Sequence, residues 1–162
     1  AEKSGGLHSA FALLRAHGLS DPDNPSQSFD TCSHGGLFAP GGSAAVLYEL
    51  KPGCTTLWFT GAPWTCANLF KPLAVTDGFT PLWDDYPLDG QQGQVVRAGY
   101  WTARLRLLSG LKRSPQAFAA KAASLAQAQA AIVEAHDSYT QGLVSAEKTR
   151  ERILSIVRSW NL

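Results

Sequence analysis

The chain has no methionine, few charged residues and no long apolar run. A membrane-spanning helix needs about 18 to 20 consecutive apolar residues, and no stretch of this sequence approaches that length. The net charge is +1 with acids and bases interspersed, so the basic stripe typical of a nucleic-acid-binding surface is missing. We therefore expect neither a membrane protein nor a nucleic-acid-binding protein.

Three cysteines are an odd number and too few for a disulfide scaffold. Their scarcity favours a reducing compartment, and we expect a cytoplasmic protein. The missing methionine and the start at Ala1 fit processing, the scar of an affinity tag, or a chain that is part of a longer protein. The first residues, AEKSGGLHSA, lack the hydrophobic core of a signal peptide.

The 162 residues suffice for one domain with a sizeable core, and the apolar content of 44% is that of a globular protein. Residues 1–95 hold most of the Gly and Pro and the short apolar runs typical of strands and turns. Residues 96–162 are rich in residues that favour helices. We interpret residues 1–162 as a single domain, a strand- and turn-rich half followed by C-terminal helices.

Hydrophobic periodicity and turn residues predict the individual elements. A helix is expected at about residues 4–17, and strands at about 29–34, 44–50, 55–60 and 73–75. Pro52-Gly53 predicts an antiparallel hairpin between the second and third strands. Helices follow at about 96–111, after the N-cap Ser114 and from about Ser145. The last helix carries an apolar stripe at helical spacing: Ile153, Ile156, Val157 and Trp160. This order predicts an α+β fold in which helices cover an antiparallel sheet.

Cys32 and His34 lie two residues apart on a predicted strand, so their side chains share one face. A thiol beside an imidazole suggests an activated nucleophile, but such neighbours are roughly 7 Å apart, beyond hydrogen-bond reach. The alternatives for His34 are a pocket residue and a half-buried residue with a structural partner. A metal site would need two further donors, and the other Cys and His residues show no CxxC or HxxxH spacing.

Ser43 follows the paired glycines of PGGSAAV. Such a turn can present backbone N–H donors to an oxyanion or a carboxylate, and an ordinary turn into a strand explains it as well. No Gly-Lys-Ser/Thr follows the glycines, so no phosphate loop is predicted. The residues alone therefore give no complete catalytic constellation.

The order of three motifs resembles the secernins and the related bacterial cysteine dipeptidases. TCSHGG comes first, SAAVLYELKPG second and LWFTGAPWTCANLFKP third, within residues 31–72. In that family a Cys-x-His stretch precedes a Ser/Thr-rich strand, and a strand ending in Thr-Gly-Thr/Ala-Pro precedes an LFKP segment. This chain departs from the family's commoner Cys-x-His-Pro and Thr-Thr-x-Ser forms.

The resemblance implies an N-terminal nucleophile hydrolase, whose fold is a four-layer αββα sandwich. The nucleophile of that family is a Cys freed at the chain N-terminus. The motifs of this chain match only the C-terminal portion of such enzymes, so that Cys would lie in a segment preceding this one. The chain would then be an incomplete domain that contributes second-sheet strands and a wall of the substrate pocket. The expected substrate is a small peptide or amide, His34 and Ser43 are the expected pocket residues, and neither a cofactor nor a metal ion is expected.

A second hypothesis belongs to a different class. A non-catalytic binding or assembly domain would use an exposed sheet face to pair with a partner subunit. An apolar face left open in half of a sandwich would also favour self-association into a homo-oligomer.

Overall fold

The computed structural model describes residues 5–16, 44–61, 65–74, 106 and 114–161 of the chain. The predicted strand at 29–34 lies outside the described residues. Of the predicted helix at 96–111 only Arg106 is described, and it is helical.

The described sheet has three antiparallel strands, and their order in the sheet is their order along the chain. Strand β1 is Ala44–Lys51, β2 is Cys54–Gly61 and β3 is Lys71–Ala74. Pro52 and Gly53 connect β1 to β2, and Gly53 has a φ of 74°, as the second central residue of a type II turn requires. The predicted hairpin is therefore confirmed. Strand β3 begins two residues before its predicted start because Pro72 takes part in the strand, opposite Trp58.

The two C-terminal helices begin at the expected signals, whereas the helix predicted at 4–17 ends at Leu14, three residues before its predicted end. Helix α1 is Gly5–Leu14, and α2 is Pro115–Thr140 with Ser114 as N-cap, whose hydroxyl accepts a hydrogen bond from the backbone N–H of Ala117 at 3.3 Å. Helix α2 ends in a turn in which Gly142 has a φ of 72° and the N–H of Leu143 donates to the carbonyl of Ser138, the pattern of a Schellman motif. Helix α3 is Ala146–Asn161.

The helices pack against one face of the sheet. Trp58 of β2 is fully buried there, and Phe11 of α1 meets it edge-on with 5.3 Å between ring centroids. Phe70 stacks on the other side of Phe11 at 4.6 Å. Buried residues of α2 and α3 complete the same core: Leu125, Ile132, Val133, Ile153, Val157 and Trp160. The predicted α3 stripe is thus the core-facing side of that helix.

The opposite face of the sheet carries exposed apolar side chains along β1. Val46, Tyr48 and Leu50 are 46%, 65% and 77% exposed. In the register of the hairpin they stand opposite Phe59, Leu57 and Thr55, all of them only partly buried. The described elements therefore confirm an α+β fold with helices on one sheet face. They do not contain a second sheet, so the four-layer sandwich stays a prediction.

Gln129 joins three parts of the fold through its buried side-chain amide. Its Oε1 accepts from the backbone N–H of Phe70 at 2.8 Å, and its Nε2 donates to the Phe70 carbonyl at 2.9 Å. Arg15, which follows α1, donates from Nη2 to the same Oε1 at 2.7 Å and to the carbonyl of Asn68 at 2.9 Å. One side chain of α2 therefore satisfies the backbone just before β3 and also holds Arg15.

We expect Gln129→Ala to lower the free energy of unfolding by about 3 kcal/mol, because it leaves a buried N–H and a buried C=O without partners. For a domain of this size the melting temperature should fall by roughly 6 to 12 °C. Gln127→Ala is the matched control, since Gln127 lies on the same helix but is exposed, and it should cost less than about 0.5 kcal/mol. Equal effects of the two substitutions in calorimetry would contradict this role of Gln129.

Candidate functional site

The residues predicted from the motifs lie outside the described part of the chain. His34, Ser43 and Cys32 are all in the segment between α1 and β1, so the pocket assignment of His34 and Ser43 stays a prediction. Among the described residues, no three His, Cys, Asp or Glu side chains come together in a group that could hold a metal ion.

The described residues contain a different cluster of chemically active groups, between β2 and α2. The Sγ of Cys54 lies 3.8 Å from the Oγ1 of Thr56, and that Oγ1 lies 3.1 Å from the Nε2 of His136. Cys54 and Thr56 point to the same face because side chains alternate along a strand. His136 reaches them from α2, where it shares the buried stripe of Ile132 and Val133.

Charged residues surround this cluster on the side of the hairpin turn. The Nζ of Lys51 lies 2.9 Å from Glu49 and 3.2 Å from Asp137, so it links β1 to α2. The second oxygen of Glu49 accepts a hydrogen bond from the Trp58 indole N–H at 3.1 Å. Burial alone would lower the pKa of Lys51, but its hydrogen bonds to Glu49 and Asp137 outweigh that effect and raise it.

His136 is held in its neutral form. Burial of the imidazole lowers its pKa from 6.5 to about 4, and Lys51 adds to this effect, although Glu49 and Asp137 oppose it. The ring lies against Trp58, with 5.0 Å between the ring centroids. Its Nε2 is hydrogen-bonded to Thr56, whereas its Nδ1 is buried and has no hydrogen-bond partner among the described residues. Protonation would therefore add a second buried donor and a charge.

The order of thiol, hydroxyl and imidazole is that of a relay that could activate a nucleophile. Two observations argue against this use. Thr56 and His136 are 1% and 0% exposed, which leaves a substrate no access to them. An imidazole with a pKa near 4 is also a weak base. We conclude that the cluster attaches α2 to the β1–β2 hairpin.

Sequence reasoning missed this cluster. The signal that could have found His136 is its helical spacing from Ile132 and Val133, which places it on a buried face. Its partner Thr56 is 80 positions away along the chain, and no periodicity identifies a pair at that separation. The same holds for Gln129 and Phe70.

A groove of about 370 Å³ lies between α1 and α2. Its lining is mainly apolar and includes Phe11, Leu125 and alanines of both helices, together with Arg15 and the buried Cys66. The Arg15 guanidinium lies over the Phe70 ring, 5.0 Å from its centroid. The contacts of Arg15 with Gln129 and Asn68 show that this residue organises the core beside the groove.

Comparisons with known proteins identify no relative. No family model, no curated protein and no solved structure matches the chain. The resemblance to the secernins therefore rests on the sequence motifs alone and stays a prediction. Neither α2 nor any other described helix has a stretch that is apolar enough over its length to serve as a membrane span.

The depressed pKa of His136 predicts a loss of stability in acid. The folded state holds the imidazole neutral down to a pH of about 4, whereas the unfolded chain binds a proton near pH 6.5. The unfolded state therefore binds more protons in this window, and stability falls as the pH is lowered through it. At about 1.4 kcal/mol per pKa unit, the loss between pH 7 and pH 4 should approach about 3 kcal/mol.

Urea denaturation at several pH values measures this loss. His136→Gln keeps an amide near Thr56 but does not titrate, so its stability should change less over the same pH range, even if it is lower throughout. An equal pH dependence of the two proteins would show that other groups cause the acid sensitivity.

Proposed function

We propose that the chain is the C-terminal part of a secernin-like cysteine amidohydrolase or dipeptidase. In this proposal it supplies second-sheet strands and a wall of the substrate pocket. The nucleophilic Cys lies in a preceding segment, and the substrate is a small peptide or amide.

The observation that supports the proposal is the difference between the two faces of the sheet. In an αββα sandwich each sheet has helices on one face and packs its other face against the second sheet. Here Trp58 and its neighbours are buried under helices, while Tyr48 and Leu50 on the other face are exposed and apolar. Such a face would suit contact with a second sheet.

The third motif, LWFTGAPWTCANLFKP, is the most specific of the three, and its described residues have the burial expected of a structural scaffold. Thr60 at the end of β2 and the short 3₁₀ turn Thr65–Ala67 are buried, as are Asn68, Leu69 and Phe70 before β3. The motif would therefore shape a wall and would not supply the reacting atoms. This agrees with a nucleophile that comes from another segment.

The proposed chemistry is attack of a thiolate on the amide carbonyl. The N-terminal Cys would lose its proton to its own α-amino group and form a C–S bond to the carbonyl carbon. The C–N bond would then break, the amine would leave with the proton held by the α-amino group, and water would hydrolyse the acyl-enzyme to the free acid and the thiol. Preorganised N–H donors would hold the oxyanion. His34 and Ser43 are the proposed pocket residues of this chain, and none of the described residues is assigned as the nucleophile.

Reconstitution tests this proposal. The chain is co-expressed with the segment encoded directly upstream, processed so that its first residue is Cys, and hydrolysis of a set of dipeptides is measured. We expect activity that is lost when the first Cys is replaced by Ser. His34→Ala and Ser43→Ala should each lower kcat/KM by about tenfold or more. A correctly exposed Cys without any hydrolysis would count strongly against the proposal.

The second candidate is a non-catalytic assembly domain that pairs with a partner subunit. Two observations favour it. The same apolar face could bind a partner without any nucleophile, and Thr56 and His136 are buried where a substrate could not contact them. An upstream coding sequence that lacks a Cys-beginning segment, combined with a stable complex through β1, would favour this candidate over the hydrolase.

A further inference from the structure

The contact between α2 and α3 changes from apolar to polar toward the turn that joins the two helices. The helices run antiparallel, and an ion pair of 3.1 Å between Glu134 and Arg152 indicates their register. In this register the buried side chains of the two helices face each other in three layers: Leu125 with Trp160, Ile132 with Ile153, and His136 with Thr149. The layer nearest the turn is therefore polar.

This polar layer lies where both helices meet the β1–β2 hairpin. His136 and Thr149 are 0% and 1% exposed, and the Nε2 of His136 is hydrogen-bonded to the Oγ1 of Thr56 on β2. Neither the Nδ1 of His136 nor the Oγ1 of Thr149 has a hydrogen-bond partner in the part of the chain that the structure describes. Three buried polar side chains thus take the place of the apolar contacts found in the other layers.

Little apolar surface holds the molecule together at this end. The last residues of α2, 137–140, are only partly buried, as are Lys51 and Cys54 at the end of the hairpin. The large, fully buried apolar side chains begin further in, with Trp58 and Ile132. Segments with few buried apolar contacts open at a lower free energy than the core does, so this end can separate while the core stays closed.

Charged and titratable groups lie near the imidazole on the elements that pack against it. They are Glu49 and Lys51 of β1, Cys54 of β2, Asp137 and Tyr139 of α2, and Lys148 and Arg150 on either side of Thr149 in α3. Burial opposes a charge on the ring, and the two carboxylates that would favour it, Glu49 and Asp137, are bridged by Lys51. The pKa of the imidazole is therefore about 4 as long as this end is closed.

We propose that protonation of His136 separates the last turn of α2 from the β1–β2 hairpin while the apolar core stays closed. A ring that reaches water in the open state binds a proton near pH 6.5, whereas the closed state binds one only near pH 4. Acid therefore shifts the population toward the open state, and the ratio of open to closed molecules should rise about twentyfold from pH 7 to pH 5. This inference places the acid response in one part of the fold, and it does not rest on the hydrolase function.

Amide hydrogen exchange of the full chain, followed by NMR at pH 7 and pH 5, tests the proposal. Protection factors, which correct for the effect of pH on chemical exchange, should be at least about tenfold lower for residues 137–140 than for residues 129–133 of the same helix. At 137–140 they should fall about twentyfold further when the pH is lowered to 5. Equal protection of the two segments would overturn the proposal, because only global unfolding would then expose His136. Low protection at 137–140 that does not change with pH would overturn it as well.

His136→Gln removes the titrating ring but leaves Glu49, Lys51 and Asp137 in place, so protection at residues 137–140 should become nearly independent of pH. His8→Gln is the matched control, because His8 is exposed on α1, and it should keep the response of the wild type. An unchanged response in His136→Gln would assign the opening to other groups and overturn the proposal. If that variant does not fold, the NMR titration of the wild-type ring decides, since a midpoint near 6.5 in place of about 4 would remove the coupling.

Discussion

The fold depends on one buried amide. Gln129 gives the backbone of Phe70 both a donor and an acceptor, as a neighbouring strand would. Its Oε1 also accepts a hydrogen bond from the Arg15 guanidinium. A backbone segment that leads into a strand from a buried turn has few sources of hydrogen bonds, and an unsatisfied buried peptide group is costly. By supplying these bonds, α2 fixes the position of Phe70, whose ring stacks on Phe11, and Phe11 in turn meets Trp58 edge-on.

Polar pairs also join α2 to the sheet nearer the C-terminal end of the helix. Thr56 and His136 form a buried hydrogen bond between sheet and helix, and Lys51 bridges Glu49 and Asp137 nearer the surface. Apolar packing alone is tolerant of small shifts, whereas hydrogen bonds require particular atoms at particular distances. The polar contacts therefore specify how α2 lies on the hairpin, while Trp58 and its apolar neighbours supply most of the buried surface.

Local signals in the sequence were enough to predict the hairpin, the start of α2 and the core stripe of α3. Pro52-Gly53, Ser114 and the spacing from Ile153 to Trp160 each act within a few residues. The roles of Gln129 and His136 could not be predicted in this way. Gln127 and Gln129 look alike in an alanine-rich helix, and only the tertiary fold shows which one is buried. The pocket roles of His34 and Ser43 stay predictions from the sequence.

Two parts of the structure are held by contacts between residues close in the sequence: the β1–β2 hairpin and the antiparallel pair of α2 and α3. The side chains that join these parts are far apart along the chain, 80 positions for Thr56 and His136 and 114 for Arg15 and Gln129. Closing such long loops has an entropic cost that local turns avoid. We therefore expect each of the two parts to form early in folding, and the docking of one onto the other to be the slow, non-local step.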